Sequence, residues 1–175
     1  MTYYKTRWFP EGLHFCRFLF WLQRKFLIAK ALSAVGQGGE AGDLTTAGLV
    51  AAFRRTRRCV KAVLLDQRVL AGVGNIYADE ALFEASLSPH RLGQDLSEKE
   101  TERLRQAIIY VLDRAIRQHG STILSFVYGE GKKGQYQNEF RVYGRQGRPC
   151  PRCQELIVAC RLAGRTTHFC PKCQH

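Results

Sequence analysis

The stretch Leu64-Leu65-Asp66-Gln67-Arg68-Val69-Leu70-Ala71-Gly72-Val73-Gly74-Asn75-Ile76-Tyr77-Ala78-Asp79-Glu80-Ala81-Leu82-Phe83 sits near the middle of the chain and joins a tight turn to a helix. Gly72-Val73-Gly74 makes the turn. Asn75 is a residue type that caps helices, here one running through Tyr77, Leu82 and Phe83 and stopping before Pro89. The glycines superficially suggest a dinucleotide loop, but Tyr77 stands where the third glycine belongs and no βαβ unit surrounds it. A glycine turn at a helix N-terminus also lets backbone approach an anion. Asn75 and the first helical amides then donate to a phosphate at the positive end of the helix dipole. Most such turns merely connect helices. The phosphate reading is favoured by the basic run just upstream, Arg54, Arg55, Arg57, Arg58 and Lys61, although such a run by itself is more often a solvated face.

Outward from this turn the pattern from Asp43 to His119 is helical. Leu49, Val50 and Phe53 precede the basic run, and Lys61 to Leu65 leads into the glycines. Ser97 and Glu100 form an S-x-x-E capping box. Leu104, Ile108, Leu112 and Ile116 follow at spacing four, and Gly120 is the expected C-cap. Beyond it Gly129, Gly131 and Gly134, with Lys132 and Lys133 between them, predict a mobile loop, and Phe140, Val142 and Tyr143 predict a short strand. Residues 1–44 differ from the rest. Phe15, Phe18, Leu19, Leu22 and Phe26 stripe one possible helix face, interrupted by Arg17, Arg24 and Lys25. The longest apolar run there, Phe18 to Leu22, falls short of the ~7–15 residues of a signal-peptide core, so a docked or disordered tail is expected, with Gly36 to Gly42 as a linker.

The C-terminal end carries Cys150-x-x-Cys153 and, after sixteen residues, Cys170-x-x-Cys173. Two such knuckles match the four-thiolate zinc template, in which a hairpin brings two pairs of sulfurs into a closed tetrahedron. An iron centre or paired disulfides are the alternatives. Cys160 and His168 lie close enough in sequence to exchange with a knuckle ligand, but the two knuckles already fill four positions. Gln154 follows the first knuckle where glycine would be the easier residue for a positive backbone angle, and Cys16 and Cys59 read as ordinary reduced thiols. The chain has 175 residues, enough for one ordinary domain or two small ones, with 45% hydrophobic and 24% charged residues, which excludes a wholly disordered chain. Its 27 basic and 15 acidic side chains leave a formal charge of +12, favouring nucleic acid or an anionic membrane as partner. No apolar run approaches the ~18–20 residues of a membrane span. Seven cysteines cannot all pair within one molecule. A soluble, basic, metal-stapled intracellular protein is expected.

Two of these motifs occur together in a known family. Leu64 to Gln67 and Ala71 to Phe83 resemble the helix–two-turn–helix of formamidopyrimidine-DNA glycosylases and endonuclease VIII. Val142-Tyr143-Gly144-Arg145 before Cys150, and Gly164-Arg165-Thr166-Thr167-His168-Phe169-Cys170-Pro171-Lys172-Cys173-Gln174, resemble that family's zinc finger, the formamidopyrimidine branch most. The match runs from about Asp43 to the C-terminus. It implies that Asn75 holds the backbone phosphate at the damaged nucleotide. Arg165, at the hairpin tip, would grip a flanking phosphate and assist strand cleavage, its one catalytic role here. Arg57 and Lys61 match basic positions near the DNA. Ser121 to Tyr136 matches the flexible loop over an everted oxidised purine.

The same resemblance exposes a departure. Family members begin, once the initiator methionine is lost, with Pro-Glu; the proline amine attacks the sugar carbon, the glutamate handles protons, and an N-terminal β-sandwich supplies a lysine. This sequence starts Met1-Thr2-Tyr3, and its Pro10-Glu11 is internal and lacks the family's continuation. About 44 residues before the helical part are too few for such a sandwich, and read as an out-of-frame or mis-started remnant. The expected fold is therefore mainly α with a C-terminal β-hairpin zinc finger. Residues 1–42 form an atypical segment and linker, 43–120 the helix–two-turn–helix domain, 121–141 the lesion-loop-like segment and 142–175 the four-cysteine zinc finger. Cys150, Cys153, Cys170 and Cys173 should hold one structural zinc ion. The expected function is binding of double-stranded DNA, preferring damaged or abasic sites, by a cytoplasmic, nucleoid-associated monomer with no membrane contact and impaired catalysis. An active glycosylase and abasic-site lyase, alone or with a missing catalytic half, is the first alternative. A zinc ribbon that binds RNA or protein is the second.

Overall fold

The computed structural model describes residues 44–118, 127–128, 132–133 and 135–175. Helix α1 (Thr46–Arg54) starts at Thr45, whose hydroxyl accepts the Gly48 amide, and buries Leu49 and Phe53. Phe53 is covered so closely by Gly93 that a Cβ there would lie 2.8 Å from its ring, so only glycine fits. Helix α2 (Val60–Leu64) is one short turn with Val60, Lys61, Val63 and Leu64 all buried. Gln67 then staples the glycine turn, its Oε1 accepting the Gly72 amide and its Nε2 donating to the Val73 carbonyl, both at 2.9 Å. Gly72 has a φ of 88°, the left-handed region that glycine reaches without strain.

Helix α3 (Asn75–Glu84) follows directly. Its N-cap is Gly74 and not the expected Asn75, which is the first helical residue; no side chain caps this end. Helix α4 (Glu98–Arg117) carries the complete capping box: the Glu100 amide donates to Ser97 Oγ, and the Ser97 amide to the Glu100 carboxylate. Its buried face runs Leu104, Ala107, Ile108, Val111 and Ala115. The expected row at spacing four drifts off this face, because each such step overshoots a helical turn by about 40°, so Leu112 and Ile116 are only half-buried. Gln118 is the C-cap; Gly120 lies outside the described residues, as do residues 1–43 with Cys16, and most of the expected loop. Within that loop β1 (Val127–Tyr128) and β2 (Lys132–Lys133) pair antiparallel.

One core fills the space between the four helices, from Leu49 and Phe53 through Leu64, Leu70 and Leu82 to Leu104 and Ile108. A second, much smaller core holds Phe83, Val142, Ile157, Cys150 and Cys170. The expected strand at Phe140, Val142 and Tyr143 is instead a bend after a short 3₁₀ turn, Tyr136–Glu139. The reason is local. The amides of Arg141, Val142 and Tyr143 all donate to the Glu80 carboxylate at 2.9–3.1 Å, so no neighbouring strand is needed to satisfy them. Strands β3 (Val158–Leu162) and β4 (Arg165–Phe169) form the C-terminal hairpin, in register from Val158 opposite Phe169 to Leu162 opposite Arg165. Ala163 and Gly164, with φ of 52° and 72°, make its two-residue turn. The fold is mainly helical with one C-terminal hairpin, and among the described residues no helix is long and apolar enough to cross a membrane.

Candidate nucleic-acid interface and metal centre

The two knuckles meet at the base of the hairpin. The four cysteine sulfurs lie within 4.8 Å of one another, with Cys150 and Cys173 at 3.8 Å and Cys153 and Cys170 at 3.5 Å. A tetrahedral ion with bonds near ~2.3 Å sets its ligand sulfurs about 3.8 Å apart, so the cage fits one structural zinc ion. The amides of Arg152 and Cys173 point at the sulfurs of Cys150 and Cys170, each at 3.4 Å, which suits thiolates. Gln154 does take the positive angle expected after the first knuckle, with φ 65°. Gln174 locks the second: its Oε1 accepts the Cys170 amide and its Nε2 donates to the Leu87 carbonyl, both at 2.9 Å. Neither alternative ligand joins the cluster. Cys160 lies 3.5 Å from His90 Nε2, and His168 sits between Asp79 and the Tyr143 ring. Cys59 is a free thiol at the start of α2.

At its other end the hairpin reaches the start of α3. Asn75 Nδ2 donates to the Thr166 carbonyl at 2.9 Å, one residue from Arg165. That bond uses one of the two amide hydrogens of Asn75 and leaves the other for a ligand. Gly74 opens the approach: a Cβ there would meet nothing within 4 Å. No acidic side chain stands in the first turn of α3, so the positive end of its dipole is not neutralised from within. Arg165 is the first residue after the hairpin turn and is exposed. The Asn75 amide, the first amides of α3 and the Arg165 guanidinium are donor types suited to phosphate oxygens.

Lys61 is placed differently from the other basic residues. Its side chain is fully buried and its Nζ bonds to Asp79 Oδ1, to Thr167 Oγ1 at 2.7 Å and, more weakly, to the Thr166 carbonyl at 3.5 Å. Burial lowers its pKa, and the neighbouring Asp79 carboxylate works against that drop. Asp79 Oδ2 accepts the His168 amide at 2.9 Å. Arg57 is exposed in the loop between α1 and α2, and among the described residues no hydrogen bond or ion pair joins it to Asn75 or Arg165. The sequence-selected Asn75, Lys61 and Arg165 thus converge on β4, and Arg57 stands apart.

Asp79 and Glu80 were missed as organising residues. Burial raises the Glu80 pKa, and the three amides donating to it oppose that shift. The available signal was two adjacent carboxylates inside the otherwise apolar run Ala78 to Phe83, which must leave at least one of them against protein rather than water.

Comparison with known proteins agrees with this geometry. Residues 35–127 match the family model described as the formamidopyrimidine-DNA glycosylase H2TH domain, and residues 147–175 match the zinc finger found in FPG and IleRS. A formamidopyrimidine-DNA glycosylase from Listeria innocua is 42% identical over 145 residues, covering 83% of this chain and 53% of that protein. The crystal structure of the MutM (Fpg) protein from Thermus thermophilus superposes with a TM-score of 0.72 at 44% identity, covering 81% of this chain and 52% of the other. The Lactococcus lactis Fpg in complex with abasic-site DNA gives a TM-score of 0.72 at 33% identity, over 93% of this chain and 56% of the other. The chain spans about half the length of the relatives it matches. With a helix–two-turn–helix and a four-cysteine finger matched in order, the chain belongs to the formamidopyrimidine-DNA glycosylase/endonuclease VIII family.

Proposed function

We propose that this chain binds duplex DNA and prefers damaged or abasic nucleotides, as the DNA-binding part of base-excision repair. The observation that carries the reading is the bond from Asn75 to the Thr166 carbonyl, which ties the N-terminus of α3 to the hairpin one residue from Arg165. Asn75 then holds the phosphate of the damaged nucleotide, and Arg165 a flanking one. Two phosphates gripped from a fixed frame favour a backbone already kinked at a lesion, because an unstacked or missing base lowers the cost of that distortion. The complex of the Lactococcus lactis relative with abasic-site DNA supports the same partner. Arg57 adds general attraction, and the protein works as a monomer on bacterial DNA in the cytoplasm.

Catalysis by the 175-residue polypeptide is weak in this reading. Base removal needs a poised amine and a carboxylate to move protons. The Lys61 ammonium, which shares the Thr166 carbonyl with Asn75, is buried and already bonded and so is not a poised amine. Arg165 alone can assist elimination at a sugar already stripped of its base. The test is binding of fluorescent duplexes carrying an abasic analogue or none, across a salt series, with borohydride trapping on a true abasic site. The expected result is a clear preference for the abasic duplex, lost in Asn75→Ala, with little trapped product. Equal affinity for both duplexes, or preference for RNA, overturns the binding reading. Rapid release of an oxidised purine overturns the catalytic one.

A further inference from the structure

We infer that Lys61 and Asp79 are positioning residues: a buried bridge from α2 through α3 to β4 that fixes the spacing between the two phosphate-gripping side chains, Asn75 and Arg165. This inference rests on the binding function proposed above and assigns Lys61 a role other than direct phosphate contact. An ammonium has three donors and no acceptor. Those of Lys61 face Asp79 Oδ1, Thr167 Oγ1 and the Thr166 carbonyl, and its side chain has no exposed surface. A phosphate could reach it only by displacing one of them.

The connections run on to both gripping residues. Thr167 Oγ1, which accepts from Lys61, donates to the Arg165 carbonyl at 3.4 Å. The Thr166 carbonyl, the weak third acceptor of Lys61, takes the side-chain amide of Asn75 at 2.9 Å. Asp79 holds the bridge from the helix side, one carboxylate oxygen on Lys61 and the other on the His168 amide at 2.9 Å. Three elements therefore share one charged knot. A purely apolar contact would tolerate small slides of the strand along the helix. Directional bonds to a buried charge do not, because a shift leaves the charge unpaired in a dry site. The hairpin is two-stranded and short, so this knot and the zinc cage together determine where Arg165 stands.

The variants that test this are Thr167→Val, which keeps the branched side chain and removes only the hydroxyl, and the pair Lys61→Met with Asp79→Asn, which leaves no orphaned charge. Each is measured against abasic and undamaged duplexes over a salt series, with zinc content and melting recorded in parallel. A direct phosphate contact by Lys61 would lower the slope of log affinity against log salt by about 0.9 when that charge is removed. A positioning role lowers the abasic preference by about tenfold, and does so equally in Thr167→Val, which keeps the Lys61 charge, and in the Lys61→Met pair, with the same salt slope in both. Thr167→Ser, which returns the hydroxyl, restores that preference. A slope lowered in the Lys61→Met pair and not in Thr167→Val, or a preference retained in Thr167→Val at full zinc content, overturns the bridge. Absence of any preference in the unaltered chain overturns the proposed function instead, so the two failures are distinct. If the Lys61→Met pair fails to fold, Thr167→Val and Thr167→Ser still decide the question.

Discussion

Helix α3 is gripped on two sides by opposite means. Toward α4 it presents Ala78, Ala81 and Leu82, which with the C-cap Ala85 join the large apolar core. Toward the hairpin and the bend at residues 141–143 it presents Asp79, Glu80 and Phe83, which meet a lysine, four backbone amides, a tiny second core and a metal cage. The difference follows from size. Four helices can bury enough apolar surface to hold one another. A two-stranded hairpin cannot, so its position is set by bonds with direction: thiolates on zinc, a carboxylate on amides, an ion pair closed off from water. The apolar side supplies stability, and the polar side supplies placement. Placement is what the proposed phosphate grip, with Asn75 and Arg165 on different elements, requires.

The sharpest way to break this comparison is to remove the metal. Zinc bound to four thiolates contributes about 10–16 kcal/mol in small fingers, and that binding is the folding energy of the hairpin. Cys170→Ser, or a strong chelator, is expected to unfold residues 150–173 and abolish abasic preference, while the helical signal of α1 to α4 melts much as before. Circular dichroism with metal analysis reads both. A helical body that unfolds together with the hairpin would show that the two sides of α3 are not separately held.

Next in size is the charged knot itself. Asp79→Ala leaves the Lys61 ammonium buried without its partner, a change that costs about 3–5 kcal/mol where one member of a buried pair is lost. Replacing both members with apolar residues should recover most of that stability and none of the lesion preference. On the apolar side, Leu104→Ala in α4 costs about 2–5 kcal/mol through the cavity it leaves. It should leave the ratio of abasic to undamaged affinity unchanged in the protein that remains folded. Denaturant melts and binding titrations on the same samples separate the two sides. Equal effects of Asp79→Ala and Leu104→Ala on that ratio would erase the distinction.

How much of this the sequence disclosed depended on distance along the chain. The capping box Ser97-Glu100, the turn at Gly72 and the two cysteine knuckles are local patterns with fixed spacing, and each stands where it was expected. The start of α3 shifted by one residue because Asn75 spends its side chain on Thr166, 91 positions away, and not on its own helix. The strand expected at Val142 failed for a similar reason: the amides that a ladder would pair go to Glu80, 62 positions earlier. Lys61 looked like one more member of a basic run, and only its partners Asp79 and Thr167, 18 and 106 positions on, show that it faces inward. Charge and spacing single out Lys61, Asn75 and Arg165 as candidates and pass over Asp79 and Glu80, whose partners lie far along the chain. They do not reveal which of them face a ligand and which face one another.

The smallest expected effect lies at the start of α4, on the apolar side, and concerns charge rather than placement. Glu100 bonds the Arg91 guanidinium and both the amide and hydroxyl of Ser97. These partners, the guanidinium first, hold its pKa at about 2 against an ordinary value of 4.5. A depressed carboxyl stabilises the fold only while it is ionised. Its contribution is therefore complete above pH 4.5 and is lost as the pH falls from 4.5 toward about 2. Glu100→Gln keeps a side chain that can still serve the capping box and removes only the charge. With both partners about a quarter exposed, solvent screens the pair, and the expected loss at neutral pH is about 1 kcal/mol. The melting temperatures of the two chains should differ near pH 6 and converge as the pH drops below 4. Acid release of zinc is common to both and cancels in the difference. Because Glu100 lies on the side of the molecule that supplies stability, abasic preference should stay level throughout; a preference that follows the titration would place α4 in the binding frame as well.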